Sequence, residues 1–290
     1  MAITIEDIKR LRMMTGAGLA DVKKALTEAE GDFDAAVDIL RKNGLAKAAK
    51  KAGRATNEGR VTAMVCKKDA TKGAVVEVNC ETDFAAATDK FADFCETMTA
   101  AVLHTNTADV EELKASEYEG KKVDDLMTEA IHTIGENMQV GTYKRIEVEG
   151  TGALVSYIHM NGKIGVLAGF TFGNEATATD ERFIALGKDV AMQIAATNPV
   201  SLDQSSVPAE VAAKEMEIYK AQAAESGKPE NIQVKIAEGR MKKFYKENCL
   251  VEQDFVKNPD ITVADHIKAV AKEIGDDIVC TTYARVALGE

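Results

Sequence analysis

Cysteine is scarce and poorly placed for crosslinking: Cys66, Cys80, Cys95, Cys249 and Cys280 are odd in number, widely spaced, and include no Cys-x-x-Cys pair. That argues against a disulfide scaffold and against a zinc site, and it fits a reducing compartment. No apolar run approaches the roughly 20 residues that span a bilayer. The opening Met-Ala-Ile-Thr-Ile-Glu-Asp-Ile-Lys-Arg lacks the basic-then-apolar order of a secretory signal. The expectation is a cytoplasmic protein with no membrane partner.

The usual marks of catalysis are also missing. His104, His132, His159 and His266 are the only histidines; none has a second histidine four residues on, and none shares a local motif with a cysteine. Each is expected to be a satisfied or surface side chain. There is no Gly-x-Ser-x-Gly elbow and no phosphate-binding loop of the Gly-x-x-x-x-Gly-Lys-Ser/Thr type. Gly16-Ala-Gly18 lacks the third glycine of a dinucleotide fingerprint and follows a helical pattern rather than a strand. The chain is therefore expected to be no enzyme and to need no metal and no cofactor.

What is present is a chain of 290 residues, 46% hydrophobic and 29% charged, enough for about two domains with real cores. Its formal net charge of −11 repels phosphate backbones, so direct nucleic-acid binding is not expected. One local stretch runs the other way. Between Arg41 and Arg60 lie Lys42, Lys47, Lys50, Lys51 and Arg54, opposed only by Glu58. Without aromatics for base stacking, this reads as a solvated linker or helix end rather than a nucleic-acid patch.

The first 55 residues read as a compact module of three helices. Thr4 and Asp7 make a capping-box-like start, and Ile5, Ile8 and Leu11 recur at helical spacing. Gly16 and Gly18 break the first helix. A second places Leu19, Val22 and Leu26 on one face, and Asp32 caps a third with Phe33, Ala36, Val37 and Leu40 inward, ended by Gly44. Such a bundle is similar to a ubiquitin-associated domain. Residues 46–54 are expected to form a linker or linker helix.

Beyond it the period changes from 3.6 to 2. Residues 60–67 and 74–80 read as strands, followed by helices over 84–103 and 123–134 and a strand over 139–148. The same order then repeats. Residues 153–159 and 164–172 form a hairpin around Asn161-Gly162, a helix covers 178–196, and a last strand covers 277–288. Phe91 and Phe183 hold similar places in the helix after each hairpin. All four prolines lie at or after position 199, bracketing an insertion that reads as two helices, 207–225 and 230–245. Val207, Val211 and Ile218 on one, with Ile232, Ile236 and Phe244 on the other, would form its seam. The expected fold is α+β: a helical module at 1–55, then antiparallel-sheet-plus-helix subdomains at 56–150 and 151–290. The second is interrupted by a helical hairpin at about 203–246.

One segment stands apart, Glu77-Val-Asn-Cys-Glu-Thr-Asp-Phe84, because it leaves a strand and opens a helix. In one reading Thr82 or Asp83 is a helix cap and Phe84 packs into the core. In the other, carboxylate and ring project together as a probe into another protein. Both readings stay open on the residues alone.

Two motifs carry a resemblance. Leu11-Arg-Met-Met-Thr-Gly-Ala-Gly-Leu-Ala-Asp-Val-Lys-Lys-Ala-Leu26 closely resembles the amino-terminal signature of the bacterial elongation factor Ts family, and Glu77–Phe84 is similar to that family's second signature. His159–Val166, Asp189–Pro199, and Ser226–Pro229 leading to Glu238–Phe244 agree in the same order, so the resemblance covers nearly the whole chain. It implies a guanine-nucleotide exchange factor that binds elongation factor Tu, GDP-bound and nucleotide-free, displaces Mg²⁺ and promotes GDP release during translation elongation. By that resemblance Thr82, Asp83, Phe84 and Ala85 are linked to Mg²⁺ displacement. Arg12, Leu19, Ala20 and Lys23 become contacts to the partner's nucleotide-binding domain. Met192, Gln193 and Ile194 match a helix end that presses toward its phosphate-binding loop.

Three departures from the family pattern stand out. Gln193 takes a place where many members have histidine, Ala85 takes one where valine is common, and the chain stops at Gly289-Glu290 without the helical carboxy-terminal module of longer members. The hairpin makes subunit–subunit contacts in some relatives, which leaves a homodimer through it open. Competing classes differ in observable ways: a scaffold using only the first bundle needs Leu19 exposed and Phe84 buried, and a nucleic-acid binder needs steeply salt-dependent RNA affinity.

Overall fold

A computed structural model describes residues 3–290; Met1 and Ala2, which begin the helical module read from the sequence, lie outside them. The chain is mixed α and β. It divides into two compact units: one takes residues through Thr62, Val76–Tyr143 and Val286–Glu290, the other Ala63–Val75 and Lys144–Arg285.

The first unit opens with α1 (Ile5–Thr15), α2 (Leu19–Glu28) and α3 (Phe33–Lys51). Thr4 and Asp7 form the capping box, and Asp32 caps α3 by accepting from the Ala35 N–H at 2.9 Å. Leu11, Ala17, Val22, Ala25, Leu26, Ala36 and Leu40 form the small core. Two apolar residues of the helical patterns lie outside this core. Leu19 sits in the first turn of α2 and is 57% exposed, and Ile5 is 73% exposed, so the buried stripe of α2 is Val22, Ala25 and Leu26.

Gly44 does not end α3, and residues 46–51 are not a separate linker: one helix runs on to Lys51. The cause is partly local and partly tertiary. The following Leu-Ala-Lys-Ala-Ala-Lys-Lys is made of strong helix formers, and α3 packs on α7 (Val123–Ile134) at the glycine. A Cβ at Gly44 would meet Thr128 Cγ2 at 3.6 Å and His132 Cβ at 3.9 Å, ordinary contact that a longer side chain would not have. Arg41 pairs with Asp125, and Lys51 Nζ donates to the Ile131 carbonyl at 3.4 Å.

Next come β1 (Glu58–Val65), β2 (Lys72–Cys80), α4 (Asp83–Ala86), α5 (Asp89–Thr105), α6 (Val110–Ala115), the short pair β3 (Glu117–Tyr118) and β4 (Lys121–Lys122), and, after α7, β5 (Met138–Glu147). The single helix expected over 84–103 is broken in two. Thr88 interrupts it by capping α5, accepting from the Phe91 N–H at 3.3 Å.

The sheet order is β1-β2-β5, and β6 (Gly152–His159), β7 (Ile164–Phe172) and β10 (Ile278–Ala287) form a second sheet in which β7 is again central. β6 and β7 pair antiparallel from Gly152↔Thr171 to His159↔Ile164. Met160, Asn161 and Gly162 take positive φ in their tight turn. On this second sheet lies α8 (Glu181–Thr197), with Phe183 edge-on to Phe170 and Phe172 at 5.5 and 5.3 Å. Gly187 brings α8 close to β6: a Cβ there would stand 2.4 Å from Val155 Cγ2.

The insertion is a pair of helices, α9 (Ala209–Ala224) and α10 (Glu230–Asn248), turned by Gly227 at φ +65. Its seam runs through Val207, Met241, Phe244 and Cys249, with Val211, Met216 and Tyr219 packed alongside. Ile218 and Ile232, expected there, are instead 38% and 40% exposed. Three further elements, β8 (Asp254–Phe255) paired with β9 (Asn258–Thr262), and α11 (Val263–Ile274), precede the last strand. No helix among the described residues is long and apolar enough to cross a membrane.

Candidate functional site

The exit from β2 is a corner built by successive caps. Thr82 is extended (φ −131, ψ 152), and its Oγ1 accepts from the Ala85 N–H at 3.2 Å, starting α4. Just beyond that short helix Thr88 caps α5, and its hydroxyl donates to the Ala85 carbonyl at 2.8 Å. Ala85 is the buried residue of α4. Asp83 and Phe84 occupy the outward side of this single turn: both are exposed, and the Phe84 ring is 83% in solvent. Thr82 is thus the cap, and Phe84 is not core.

The corner is clamped from behind. The Thr82 N–H donates to Glu136 Oε2 at 3.0 Å and the Thr82 hydroxyl to Glu136 Oε1 at 2.6 Å. Glu81 Oε1 accepts from the Asn137 N–H at 2.6 Å and from Arg54 Nη1 at 3.3 Å, while Asn137 Nδ2 donates to the Arg54 carbonyl at 2.8 Å. The Cys80 thiol donates to the Thr82 carbonyl at 3.2 Å, and burial pushes its pKa up to about 11, so it serves as a donor and not as a nucleophile. Glu136 and Asn137 were not singled out from the sequence, where an isolated acid after a glycine has no recognisable period, and Arg54 stood out only as part of the basic stretch.

On the bundle, Arg12, Leu19, Ala20 and Lys23 are all exposed. They flank the Gly16–Gly18 turn together with Met13 and Met14, which are 83% and 60% exposed and were missed as candidates. A shallow depression lined by Ala20, Lys23, Lys24, Thr27 and Glu28 continues this face. Long flexible methionines beside an exposed leucine suit a docking surface.

The third set lies in the other unit and is largely interior. Met192 is half-buried; Gln193 and Ile194 are fully buried. Gln193 Nε2 donates to Gln253 Oε1 at 3.0 Å and to the Asp254 carbonyl at 3.2 Å, and its Oε1 accepts from the Val256 N–H at 2.8 Å. Gln253 also accepts from the Thr197 hydroxyl at 2.8 Å. Gln193 therefore ties the end of α8 to the 253–256 segment; its amide is not presented to solvent.

Three histidines are as expected. His104 stacks on Tyr118, His159 Nδ1 meets the Tyr157 hydroxyl at 2.9 Å, and His266 meets Asp189 at 3.1 Å. His132 departs from the expectation. Its side chain is 8% exposed and neither ring nitrogen has a hydrogen-bond partner. Burial, then Lys47, lowers its pKa from 6.5; Asp21 stands 3.6 Å away but is already paired with Lys47 at 2.9 Å. Among the described residues no group of three or more His, Cys, Asp or Glu is placed to hold a metal ion.

Comparison with known proteins agrees across the chain. Residues 81–290 match the family model described as Elongation factor TS. The chain is 48% identical to elongation factor Ts of Trichlorobacter lovleyi over its whole length, covering 94% of that protein. It is 45% identical to that of Clostridium perfringens and 43% identical to that of Clostridium botulinum, covering 99% of this chain and 93% of each relative.

Proposed function

We propose, for a chain that belongs to the elongation factor Ts family, that it is the guanine-nucleotide exchange factor for elongation factor Tu in the cytoplasm, working in protein biosynthesis. The helices of residues 1–55 dock through Arg12, Leu19, Ala20 and Lys23 on the partner's nucleotide-binding domain. The corner Thr82-Asp83-Phe84-Ala85 then disturbs the surroundings of the partner's Mg²⁺. The observation that carries this reading is the Phe84 ring, 83% exposed beside a carboxylate on a doubly capped turn.

Exchange needs no covalent step, only differential binding. The factor must hold the nucleotide-free partner more tightly than the GDP-bound one, and by linkage that same factor weakens GDP. Each tenfold of preference takes about 1.4 kcal/mol of differential contact. A ring entering an apolar pocket and a carboxylate beside a cation site can both contribute, because neither is used internally. In this reading Met192 at the end of α8 contributes contact directly, while Gln193 and Ile194 support it from inside.

The test is release of a fluorescent GDP analogue from elongation factor Tu, followed by stopped flow. Asp83→Ala and Phe84→Ala should lose most stimulation when Mg²⁺ is present and less once a chelator has removed it. Unchanged release by both well-folded variants would sink the assignment of the corner.

A further inference from the structure

We propose that Glu136 is the positioning residue of the exchange corner: from the end of α7 its carboxylate fixes Thr82, and through Thr82 the direction in which Asp83 and Phe84 project. The functional half of this inference rests on the reading of the corner given above; the structural half does not.

Apart from the Cys80, Glu81 and Thr88 hydrogen bonds, the corner has little else to hold it. A helix of four residues does not persist by itself, because nucleation outweighs so few hydrogen bonds. Phe84 buries too little to anchor the turn, and Ala85 is its only buried side chain. Against this, one carboxylate takes both polar hydrogens of Thr82, N–H at 3.0 Å and O–H at 2.6 Å. Charge-assisted pairs of this kind are shorter and stronger than neutral ones, and two of them fix orientation as well as distance. They also orient the hydroxyl: with its proton committed to Glu136, the Thr82 oxygen offers a lone pair to the Ala85 N–H. The cap that starts α4 is thereby set by a residue 54 positions away in the chain.

Glu136 is itself firmly based. Gly135 closes α7 at φ +92, a conformation that a side chain would strain, and its N–H bonds the Ile131 carbonyl at 3.1 Å. That turn delivers Glu136 just past the helix end. Along α7, Val123, Met127 and Ile131 are buried, and α3 grips it through Arg41–Asp125 and the contact at Gly44. The neighbouring Asn137 is only 2% exposed, and it locks Glu81 next to Thr82.

Because the chain has no tryptophan, Phe84→Trp places a single indole emitter on the corner. Its time-resolved anisotropy in the isolated full-length chain is read with Glu136 intact, as Glu136→Gln, and as Glu136→Ala. In parallel, with Phe84 native, GDP release from elongation factor Tu is resolved into maximal rate and half-saturating concentration for the same Glu136 variants. Loss of the carboxylate should at least double the amplitude of nanosecond motion of the indole. It should lower the maximal release rate by about tenfold or more with little change in half-saturation, as misplacement rather than lost docking requires. Glu136→Gln, which keeps shape and one acceptor, should fall between, and it carries the test if Glu136→Ala folds poorly. Unchanged anisotropy in both variants overturns the positioning inference. A loosened indole with unchanged release supports the positioning and counts against the corner as the exchange element.

Discussion

Phe84 and Phe91 lie on either side of the Thr88 cap, and the structure gives them opposite duties. Phe91 is fully buried on α5, whereas Phe84 is 83% exposed. Fully burying such a side chain is worth about 1.5–3 kcal/mol, and Phe84 has only about a sixth of its surface out of water, so Phe84→Ala should cost about 0.3–0.5 kcal/mol. Phe91→Ala removes the same atoms from a closed site and leaves a cavity, so it should cost about 3–5 kcal/mol. For a chain of this size that separates a Tm change of under about 2 °C from one of about 6–20 °C.

Thermal and urea unfolding of the two single variants reads the difference directly. The parallel measurement is GDP release from elongation factor Tu, which Phe84→Ala should impair while remaining nearly as stable as the parent chain. A loss above about 2 kcal/mol in Phe84→Ala would place the ring among packed neighbours and refute the reasoning. So would a Phe91→Ala variant no less stable than Phe84→Ala.

Gly44→Ala should stabilise the chain by about 0.5–1 kcal/mol, because a methyl finds ordinary contact with Thr128 and His132 and helix propensity rises; destabilisation in urea unfolding would contradict the packing described. Gly187→Ala should do the reverse, costing about 1–3 kcal/mol as its Cβ meets Val155 at 2.4 Å. Gln193→Ala strands buried partners and should cost about 1–3 kcal/mol, with any loss of exchange following from the loosened end of α8; a variant as stable as the parent would show the amide network to be idle. His132 is held below its ordinary 6.5, so the folded chain binds fewer protons than the unfolded one, and its stabilising share is lost as pH falls below 6.5. His132→Gln should flatten the stability slope as pH falls below 6.5, and an unchanged slope there would remove His132 as its cause.

Legibility followed local chemistry. The strand at Ile164–Phe172 and its turn at Asn161-Gly162 were readable because alternation and turn preference act within a few residues. The caps at Thr4 and Asp32 were readable for the same reason. Gly44 was misread because the helix formers after it carry α3 on, and because its packing on α7, far along the chain, leaves no local mark. The pairs β3–β4 and β8–β9 are too short to show a period. At the site, Thr82–Ala85 could be located but not oriented: a phenylalanine after a buried strand reads as core or as probe, and its outward direction goes with the cap at Thr82 and the Glu136 carboxylate that holds it. Glu136 carries no local signal at all, since its role arises from where α7 ends.

The most direct measurement is the rate of GDP release from elongation factor Tu with and without this chain, at physiological Mg²⁺ and with excess unlabelled nucleotide. Acceleration that appears at substoichiometric amounts of the chain and saturates as it is raised is the result this account predicts, since a factor acting by differential binding is released and used again. Release at the same rate with and without the well-folded chain, across that titration, would contradict it.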